Sequence, residues 1–374
     1  MNPRILLFVF DATGLGHLRR VSRIANELTK TNNVLLVTGM REATWFLNDR
    51  VEVVILPNMM KLPGAKKYDP LKSSWPNVEA NAVLSSRRTL LNTIAELWRP
   101  DALLVDYLPY GRRGELTELL QQLTCKKYFL LRGIIDQADF TILSAQHLAS
   151  IAEIYDKILI ACDPAFFDAT KKYGLDEGTG KKVTYTGFVG PKSICPSEIR
   201  ALHDIPENRG WVVCSAGGGV RAEQFLEACV KAAQCTPDLH FTVISGPFAN
   251  CNFKNGYSAP NCEIIIGDRD FSDILGGADV AVLAGGYNSM LEAATSGARI
   301  IVYPTNSKIG DEQLENAILF GKHYPVRLLS SISELSIEIA NEYANCLQGR
   351  PRLLLDTDGA GFVKSLLQKE LQYR

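Results

Sequence analysis

Short apolar runs alternate with longer amphipathic segments along the first half of the chain. Segments with apolar residues at helical spacing, such as 17–30 and 88–99, separate several of these runs. Near-continuous apolar strands separated by helices are typical of a parallel sheet that is covered on both faces. The pattern predicts strands at RILLFVF (4–10), NVLLVTG (33–39), VEVVILP (51–57), ALLVDY (102–107), KYFLLRG (127–133) and KILIAC (157–162).

The second half repeats this alternation without repeating the sequence. Helices are predicted near 221–234, 288–296 and 312–321, and strands at WVVCSAG (211–217), HFTVISG (240–246), CEIIIG (262–267), VAVLAG (280–285) and RIIVYPT (299–305). Two series of strand–helix–strand units predict an α/β chain with two doubly wound, Rossmann-like domains.

The predicted domain boundary lies in VTYTGFVGPKSICP (183–196), where a strand-like run ends in Gly, Pro and Ser. We therefore expect an N-terminal domain over 1–190 and a C-terminal domain over 191–360. The remaining segment, 361–374, has apolar residues at helical spacing and is predicted to form a helix. A stretch with three prolines and little periodicity, 60–81, is predicted to be a functional or mobile loop.

Composition narrows the choice of partners. The 374 residues include 40 basic and 41 acidic side chains, so the net charge of −1 gives no overall attraction to nucleic acid or anionic membranes. The first apolar run is too short for a signal peptide or a transmembrane segment, which leaves only a peripheral membrane contact open. Nine cysteines without a CxxC pair or zinc-type spacing indicate reduced thiols in a cytoplasmic protein and no metal site.

The first glycine-rich loop follows the first predicted strand. Gly14 and Gly16 precede a helix that begins near His17. Glycines let the backbone approach a ligand closely, and the N–H groups of a helix start bind anions or polar groups. A plain strand-to-helix turn is the alternative. The spacing is not GxGxxG and no acidic residue ends the following strand, which argues against a dinucleotide site.

A second glycine loop, SAGGG, lies between a predicted strand and a helix in the second half. Its consecutive glycines leave backbone amides free to approach a diphosphate, and the helix N-terminus adds partial positive charge. A structural glycine turn is the alternative, and the missing GK[ST] excludes a Walker A loop. The candidate nucleotide-binding residues here are Ser215, Gly217, Gly218 and Gly219.

The run AGGYNSMLEAATSGARIIVYPT (284–305) places a carboxylate shortly after a glycine pair. The predicted strand ends in Gly285 and Gly286, and the next helix is expected to begin at Asn288 or Ser289. Glu292 could accept two hydrogen bonds from ribose hydroxyls while the glycines admit phosphates. It could equally be the capping-box partner of Ser289, three residues before it.

This run is similar to the donor-binding signature of GT-B glycosyltransferases, in the branch that contains the MurG-type N-acetylglucosaminyltransferases. The resemblance implies that Glu292 holds the ribose of a nucleotide sugar. It also implies that Asp311, Glu312 and Gln313, in the polar loop YPTNSKIGDEQLENA (303–317), contact the hydroxyls of the donor sugar. GLGH (14–17) resembles the N-terminal glycine loop of the same family.

Further blocks resemble a bacterial group of predicted glycosyltransferases. GLGHLRR (14–20), LLVDYLPYGRRGEL (103–116) and DPAFFDATKKYGL with YTGFVG (163–190) stand in that group's order, so the resemblance covers most of the chain. The segment 130–148 departs from the group's pattern. The resemblance also implies that the C-terminal helix crosses back onto the first domain.

The resemblance implies a GT-B fold with a cleft between the domains for donor and acceptor. It implies a hexosyltransferase-type enzyme (EC 2.4) that moves a sugar from a nucleotide sugar, expected to be a UDP-sugar, to a hydroxyl of a small-molecule or lipid-linked acceptor. Transfer is expected to be inverting and metal-independent, with the donor as a substrate and no cofactor. A nucleotide-sugar hydrolase or epimerase and a non-catalytic nucleotide-sugar-binding protein are the alternatives. The acceptor, the donor sugar and the oligomeric state stay open.

Inverting transfer needs a base that takes the proton of the acceptor hydroxyl. His17 is the first candidate, because an imidazole titrates near neutral pH; hydrogen bonding to phosphate or capping its helix is its alternative role. Asp11, at the end of the first strand, is the second candidate, either as the base or as the group that orients His17. Asp106, at an equivalent strand end, is the third. We expect at least one of Arg19 and Arg20 to be a helix-surface charge.

Overall fold

The computed structural model describes residues 2–11, 14–60, 72–73, 78–135, 144–179, 182–191, 195–217, 223–246, 258–267, 271–305 and 312–372. The chain forms two compact units. The first unit combines Met1–Val189 with Leu355–Arg374, and the second is Gly190–Leu354. The segment 355–360, which the sequence assigned to the C-terminal domain, therefore belongs to the first unit.

A parallel sheet forms the centre of the first unit. Its strands, together with a separate short pair, are β1 (Arg4–Val9), β2 (Asn33–Thr38), β3 (Val51–Ile55), β4 (Met59–Met60), β5 (Lys72–Ser73), β6 (Ala102–Asp106), β7 (Lys126–Arg132), β8 (Lys157–Ala161) and β9 (Val183–Tyr185). The sheet has the order β3-β2-β1-β6-β7-β8-β9, and β4 pairs with β5 in an antiparallel ladder.

The second unit is built on a parallel sheet of the same kind. Its strands are β10 (Trp211–Ser215), β11 (His240–Ser245), β12 (Cys262–Ile266), β13 (Val280–Leu283), β14 (Arg299–Val302) and β15 (Val326–Leu328). They follow the order β12-β11-β10-β13-β14-β15, and every pairing is parallel.

Helices connect the strands of both sheets. Those of the first unit are α1 (Gly16–Leu28), α2 (Ala80–Trp98), α3 (Thr117–Gln122), α4 (Ala145–Ile154), α5 (Ala169–Tyr173) and α6 (Leu175–Thr179). Those of the second unit are α7 (Pro196–Leu202), α8 (Glu223–Cys235), α9 (Phe271–Gly277), α10 (Tyr287–Ser296), α11 (Glu312–Phe320) and α12 (Leu335–Leu347). A last helix, α13 (Gly359–Leu371), belongs to the first unit, and short 3₁₀ helices lie at Arg41–Trp45 and Ile332–Glu334.

Both faces of the first sheet are buried, as near-continuous apolar strands require. Along β1, Ile5 and Leu7 point into one hydrophobic cluster, whereas Leu6 and Phe8 point into another. Helices α1 and α13 complete the first cluster, and α2 and α3 complete the second. The prediction of an α/β chain with two doubly wound domains is confirmed.

The C-terminal segment is tied to the first unit before its helix begins. The Asp163 carboxylate accepts a hydrogen bond from the Asp356 backbone N–H at 3.0 Å. Asp358 caps α13 by accepting from the Gly361 N–H. Val363 and the apolar residues that follow it at helical spacing then pack into the cluster that α1 shares. The DPA block of the sequence thus anchors a segment almost two hundred residues away.

Each sheet reverses its strand order at one place. In the first sheet this place lies between β1 and β6, and in the second it lies between β10 and β13. The loops beyond the carboxyl ends of two such strands leave toward opposite faces and open a crevice, where ligands bind in open α/β sheets. Four of the segments that the sequence singled out, those after β1, β6, β10 and β13, lie at these two reversal points, whereas the polar loop 303–317 follows the neighbouring strand β14.

The structure differs from the sequence predictions mainly at the ends of elements. Each predicted strand ends one to three residues later than the observed one, because the prediction includes the first residues of the following loop, often a glycine. Helix α2 begins at Ala80, well before the predicted helix at 88–99. The pattern did not predict α12 or β15, and β15 is a half-exposed edge strand that lacks an apolar run. Within the described part of the chain, every helix falls short of the length or the apolarity that a transmembrane helix needs.

Candidate active site

The reversal point of the first sheet brings His17 and Asp106 together. His17 is the second residue of α1, which follows β1, and Asp106 is the last residue of the neighbouring strand β6. Nδ1 of His17 lies 2.7 Å from Oδ2 of Asp106. Two residues 89 positions apart therefore form a dyad because β1 and β6 are adjacent in the sheet.

The carboxylate decides which nitrogen of the imidazole carries the proton. An ionised carboxylate only accepts hydrogen bonds, so Nδ1–H of His17 donates to Asp106. In the neutral ring, Nε2 then holds the lone pair that can accept a proton. The His17 side chain is 15% exposed whereas that of Asp106 is fully buried, so of these two side chains the imidazole is the one that solvent reaches.

Arg20 lies against both residues of the dyad. It lies one turn after His17 in α1, and its Nη2 donates to Oδ1 of Asp106 at 2.5 Å. The same nitrogen is 3.1 Å from Nδ1 of His17. Arg20 is 2% exposed, so it is not one of the helix-surface charges that the sequence suggested. Arg19 is half-buried and lies over the Phe46 ring at 5.1 Å.

The surroundings keep the imidazole neutral. Burial lowers the pKa of His17 from 6.5 to about 4; Asp106 opposes this shift, and the positive charges of Arg20 and Arg132 add to it. Burial alone would raise the pKa of Asp106, but Arg20 and His17 outweigh it, so the pKa of this carboxyl is lowered. At neutral pH the dyad is therefore an imidazole beside a carboxylate.

Aromatic rings hold His17 on two sides. The centroid of Phe10 is 4.8 Å and that of Tyr107 is 4.6 Å from the imidazole centroid. Tyr107 has φ +61°, an unusual backbone conformation for a bulky residue, directly after the end of β6. Such strain is concentrated at functional sites. Two guanidinium groups lie over these rings, Arg112 over Phe10 at 5.2 Å and Arg132 over Tyr107 at 5.1 Å.

Asp11 is held by a different set of partners. Its two carboxylate oxygens accept from the backbone N–H groups of Gly39 and Met59, both at 2.9 Å. Arg87 of α2 donates to the same carboxylate at 2.9 and 3.3 Å, and its Nε donates to Glu115 at 2.5 Å. Asp11, Arg87 and Glu115 thus form a buried ion cluster. The structure places Asp106, rather than Asp11, in the position that orients His17.

The SAGGG loop begins at the carboxyl end of β10. The Ser215 hydroxyl accepts from the Gly217 N–H at 3.2 Å, which closes a tight turn directly after the strand. Gly217 has φ +77°, a conformation that favours glycine, and is exposed. Gly218 and Gly219, the other candidates in this loop, lie outside the described residues.

The glycine pair after β13 has two different roles. Gly285 has φ +95°, and a Cβ there would lie 2.7 Å from the Gln313 carbonyl oxygen, so this position requires glycine. The Asn316 amide fixes the Gly285 carbonyl with a hydrogen bond of 3.0 Å. Gly286 is the N-cap of α10, has an ordinary φ of −64° and is exposed. The backbone conformation of this turn therefore requires glycine at position 285. At position 286, the lack of a side chain leaves the N-terminus of α10 accessible.

Helix α10 begins earlier than predicted, and this changes the interpretation of Glu292. Its N-cap is Gly286, which makes no side-chain cap, and its first helical bond joins Met290 N to Gly286 O. Ser289 is therefore the third residue of the helix and cannot be the N-cap of a box with Glu292. The capping-box alternative is excluded. Glu292 is 1% exposed and lies on the second turn of α10.

The polar loop that precedes α11 is described only in part. Asp311 lies outside the described residues. Glu312 is the first residue of α11. The side-chain oxygen of Gln313 accepts from the Thr305 N–H at 3.0 Å, so it ties the segment after β14 to α11.

Comparisons with known proteins match this architecture. No protein-family model matches the chain. An uncharacterized glycosyltransferase of Methanosarcina acetivorans is 23% identical over 389 residues, and the match covers 98% of each chain. The solved glycotransferase of kitacinnamycin has a TM-score of 0.64 at 16% identity and covers 99% of this chain and 100% of its own. The UDP-GlcNAc 2-epimerase of Neisseria meningitidis, solved with UDP-GlcNAc, has a TM-score of 0.64 at 14% identity. This match also covers 99% of this chain and 100% of the epimerase chain.

The chain has the GT-B fold. The two solved relatives catalyse different reactions, so this GT-B fold alone does not choose between transfer and epimerisation.

The sequence did not point to several residues of the candidate site at β1 and β6. Arg20, Arg87 and Glu115 supply most of its buried charge, yet none of the three stood out as a candidate. The spacing of three between His17 and Arg20 was a usable signal, because it places both on one face of a helix. Glu115 stands in the RGEL block that the resemblance had singled out. For Arg87 no local signal exists, since its partners come from other elements.

Proposed function

We propose that this protein is a glycosyltransferase that moves a sugar from a nucleotide sugar, with a UDP-sugar as the first candidate, to a hydroxyl of a small-molecule or lipid-linked acceptor. The contact between His17 Nδ1 and Asp106 Oδ2 carries the proposal. A base held in one tautomer by a buried carboxylate is the arrangement that activates a hydroxyl nucleophile. Relatives from two Methanosarcina species bear the name glycosyltransferase, which supports the same class.

In the proposed reaction, Nε2 of His17 takes the proton of the acceptor hydroxyl while its oxygen attacks the anomeric carbon of the donor sugar. The bond between that carbon and the diphosphate oxygen breaks, and the nucleoside diphosphate leaves with the electron pair. Attack from the side opposite the leaving group inverts the anomeric configuration. Asp106 stabilises the imidazolium that forms, as the carboxylate partner of a catalytic histidine does.

The second unit is proposed to bind the donor. The first turn of α10 has N–H groups without helical acceptors, and together with the glycine pair before it this turn suits a diphosphate without a metal. Glu292, on the next turn, is proposed to accept from the ribose hydroxyls. Glu312 and Gln313 are proposed to contact the donor sugar, as the MurG-like signature implies.

An assay with and without acceptors tests this proposal against its alternatives. The full chain is incubated in EDTA with UDP-, GDP-, CDP- and dTDP-sugars and a panel of hydroxylated acceptors, and products are followed by mass spectrometry. Nucleoside diphosphate release that requires an acceptor supports glycosyl transfer. Turnover without any acceptor would instead identify a hydrolase or an epimerase, and binding without turnover would identify a nucleotide-sugar-binding protein.

A matched pair of variants links the activity to the dyad. His17→Gln removes the proposed base, so acceptor-dependent release should be lost. His240→Gln changes a half-buried histidine at the amino end of β11, opposite the strand ends that form the candidate sites, and should keep the activity. Equal activity of the two variants would contradict the proposed role of His17.

A further inference from the structure

Arg20 is placed to act on His17 through Asp106. We propose that Arg20 is a positioning residue that neutralises the buried Asp106 carboxylate, so that the imidazole of His17 stays unprotonated and ready to accept a proton in mildly acidic as well as neutral solution. This inference deepens the proposed function, because it rests on His17 as the base.

The geometry gives each oxygen of Asp106 its own partner. Oδ2 accepts from His17 Nδ1 at 2.7 Å, and Oδ1 accepts from Arg20 Nη2 at 2.5 Å. Asp106 and Arg20 are almost completely buried, so water screens this ion pair very little. A buried carboxylate without Arg20 would draw a proton onto His17 to balance its charge. With Arg20 in place, the positive charge of its guanidinium already balances the negative charge of the Asp106 carboxylate.

The causes that shift the pKa of His17 can be ranked by size. Burial is the largest cause of the lowered pKa of His17, the attraction of Asp106 opposes it, and repulsion by Arg20 and then by Arg132 adds to it. Arg132, at the end of β7, lies over the Tyr107 ring at 5.1 Å. Arg112 lies over the Phe10 ring. Arg20 bonds directly to Asp106 and is the charge that most strongly lowers the pKa of that carboxyl.

A purely structural role for Arg20 makes a different prediction. A buried ion pair that only stabilises the fold would change the melting temperature when it is broken, but His17 would titrate as before in the molecules that remain folded. The titration of His17 separates the two roles. It needs no substrate, so it can fail or succeed independently of the glycosyltransferase assay.

The experiment follows the five histidines of the full chain by ¹H–¹⁵N NMR from pH 3.5 to 8. The His17 signals are assigned by their loss in His17→Gln, and their ¹⁵N shifts report the tautomer. In the unchanged chain we expect Nδ1–H and a pKa of about 4. In Arg20→Gln we expect the His17 pKa to rise by about one unit or more, because a cation within a few ångströms is removed.

Two further variants complete the design. Arg20→Lys keeps a positive charge near Asp106, so His17 should titrate close to its unchanged value. Arg23→Gln is the matched control: it removes a charge one turn along α1, where Arg23 bonds to the Val189 carbonyl, and it should leave the titration unaltered. If Arg20→Gln does not fold, a rise of the His17 pKa to an ordinary 6.5 in Arg20→Lys overturns the proposal. So does an unshifted titration in folded Arg20→Gln.

Discussion

The two reversal points have the same strand topology, but one presents mainly side chains and the other mainly backbone. At β1 and β6, charged and aromatic side chains supply nearly everything: His17 and Asp106 are joined by Arg20, and an ion cluster around Arg87 lies behind them. At β10 and β13, the described residues contribute mainly backbone: Gly217, Gly285 and Gly286 shape the turns before a helix N-terminus. One carboxylate, Glu292, is buried beside them.

The difference follows from what each site is proposed to handle. Proton transfer needs a titratable group in a fixed tautomer, and only side chains supply one. A diphosphate needs several N–H groups that converge on it, and a glycine turn at a helix start supplies these without charged side chains. Substitutions should therefore affect the first site through charge and the second through shape.

Removal of the base should have the largest effect. His17→Ala is expected to lower turnover about 10²–10⁴-fold, the usual contribution of general-base catalysis, and to leave donor affinity unchanged. Steady-state kinetics with isothermal titration of UDP measure both quantities. A parallel loss of UDP affinity would make His17 a phosphate ligand, and near-normal turnover would place the base elsewhere.

Breaking the ion cluster should destabilise the first unit. Arg87→Ala leaves the carboxylates of Asp11 and Glu115 buried without their cation, which costs about 3–5 kcal/mol in the free energy of unfolding. Its exposed neighbour is the control, because Arg88→Ala should change that free energy by less than about 0.5 kcal/mol. Chemical denaturation compares the two variants. Equal midpoints would show that the cluster is not needed for the fold.

Loss of the buried carboxylate should weaken donor binding. Glu292→Ala is expected to reduce UDP affinity roughly ten- to hundredfold, since a hydrogen bond to a charged group contributes about 1.5–3 kcal/mol. Glu315→Ala, at an exposed position of α11, is the matched control and should bind UDP normally. Calorimetry decides the matter, and an unchanged affinity in Glu292→Ala would remove this residue from the donor site.

Substitutions in the glycine pair should have the smallest effects. A change at Gly285 should affect the backbone conformation, and a change at Gly286 should affect the access of UDP to the helix N-terminus. Gly285→Ala combines a positive φ with a Cβ 2.7 Å from the Gln313 carbonyl oxygen, so we expect a loss of about 1–3 kcal/mol in stability. Gly286→Ala has an ordinary φ and no heavy atom closer than Ser289 Oγ at 3.9 Å, so its stability should not change. Its methyl group instead occupies the exposed N-cap, and UDP affinity should fall. Thermal melts with and without UDP compare the pair, and equal melts would contradict this division.

Much of the fold could be predicted because apolar periodicity is a local property. The central strands of both sheets are runs of a few apolar residues whose side chains are buried on both faces, and glycine loops stand directly after several of them. The edge strand β15 was missed because its three residues, Val-Arg-Leu, are too few to form an apolar run, whereas the partly exposed edge strands β3 and β12 carry one. The start of α10 was misplaced by one or two residues, which was enough to suggest a capping box that does not exist.

The sequence by itself thus determined that a strand, a glycine turn and His17 follow one another, and that Asp106 ends a later strand. Only the tertiary structure decided which carboxylate meets the imidazole. Asp11 is six residues from His17 but binds Arg87, whereas Asp106 is 89 residues away and forms the dyad. The physical reason is the strand order: β1 and β6 are neighbours in the sheet, and no local pattern records which strands will pair.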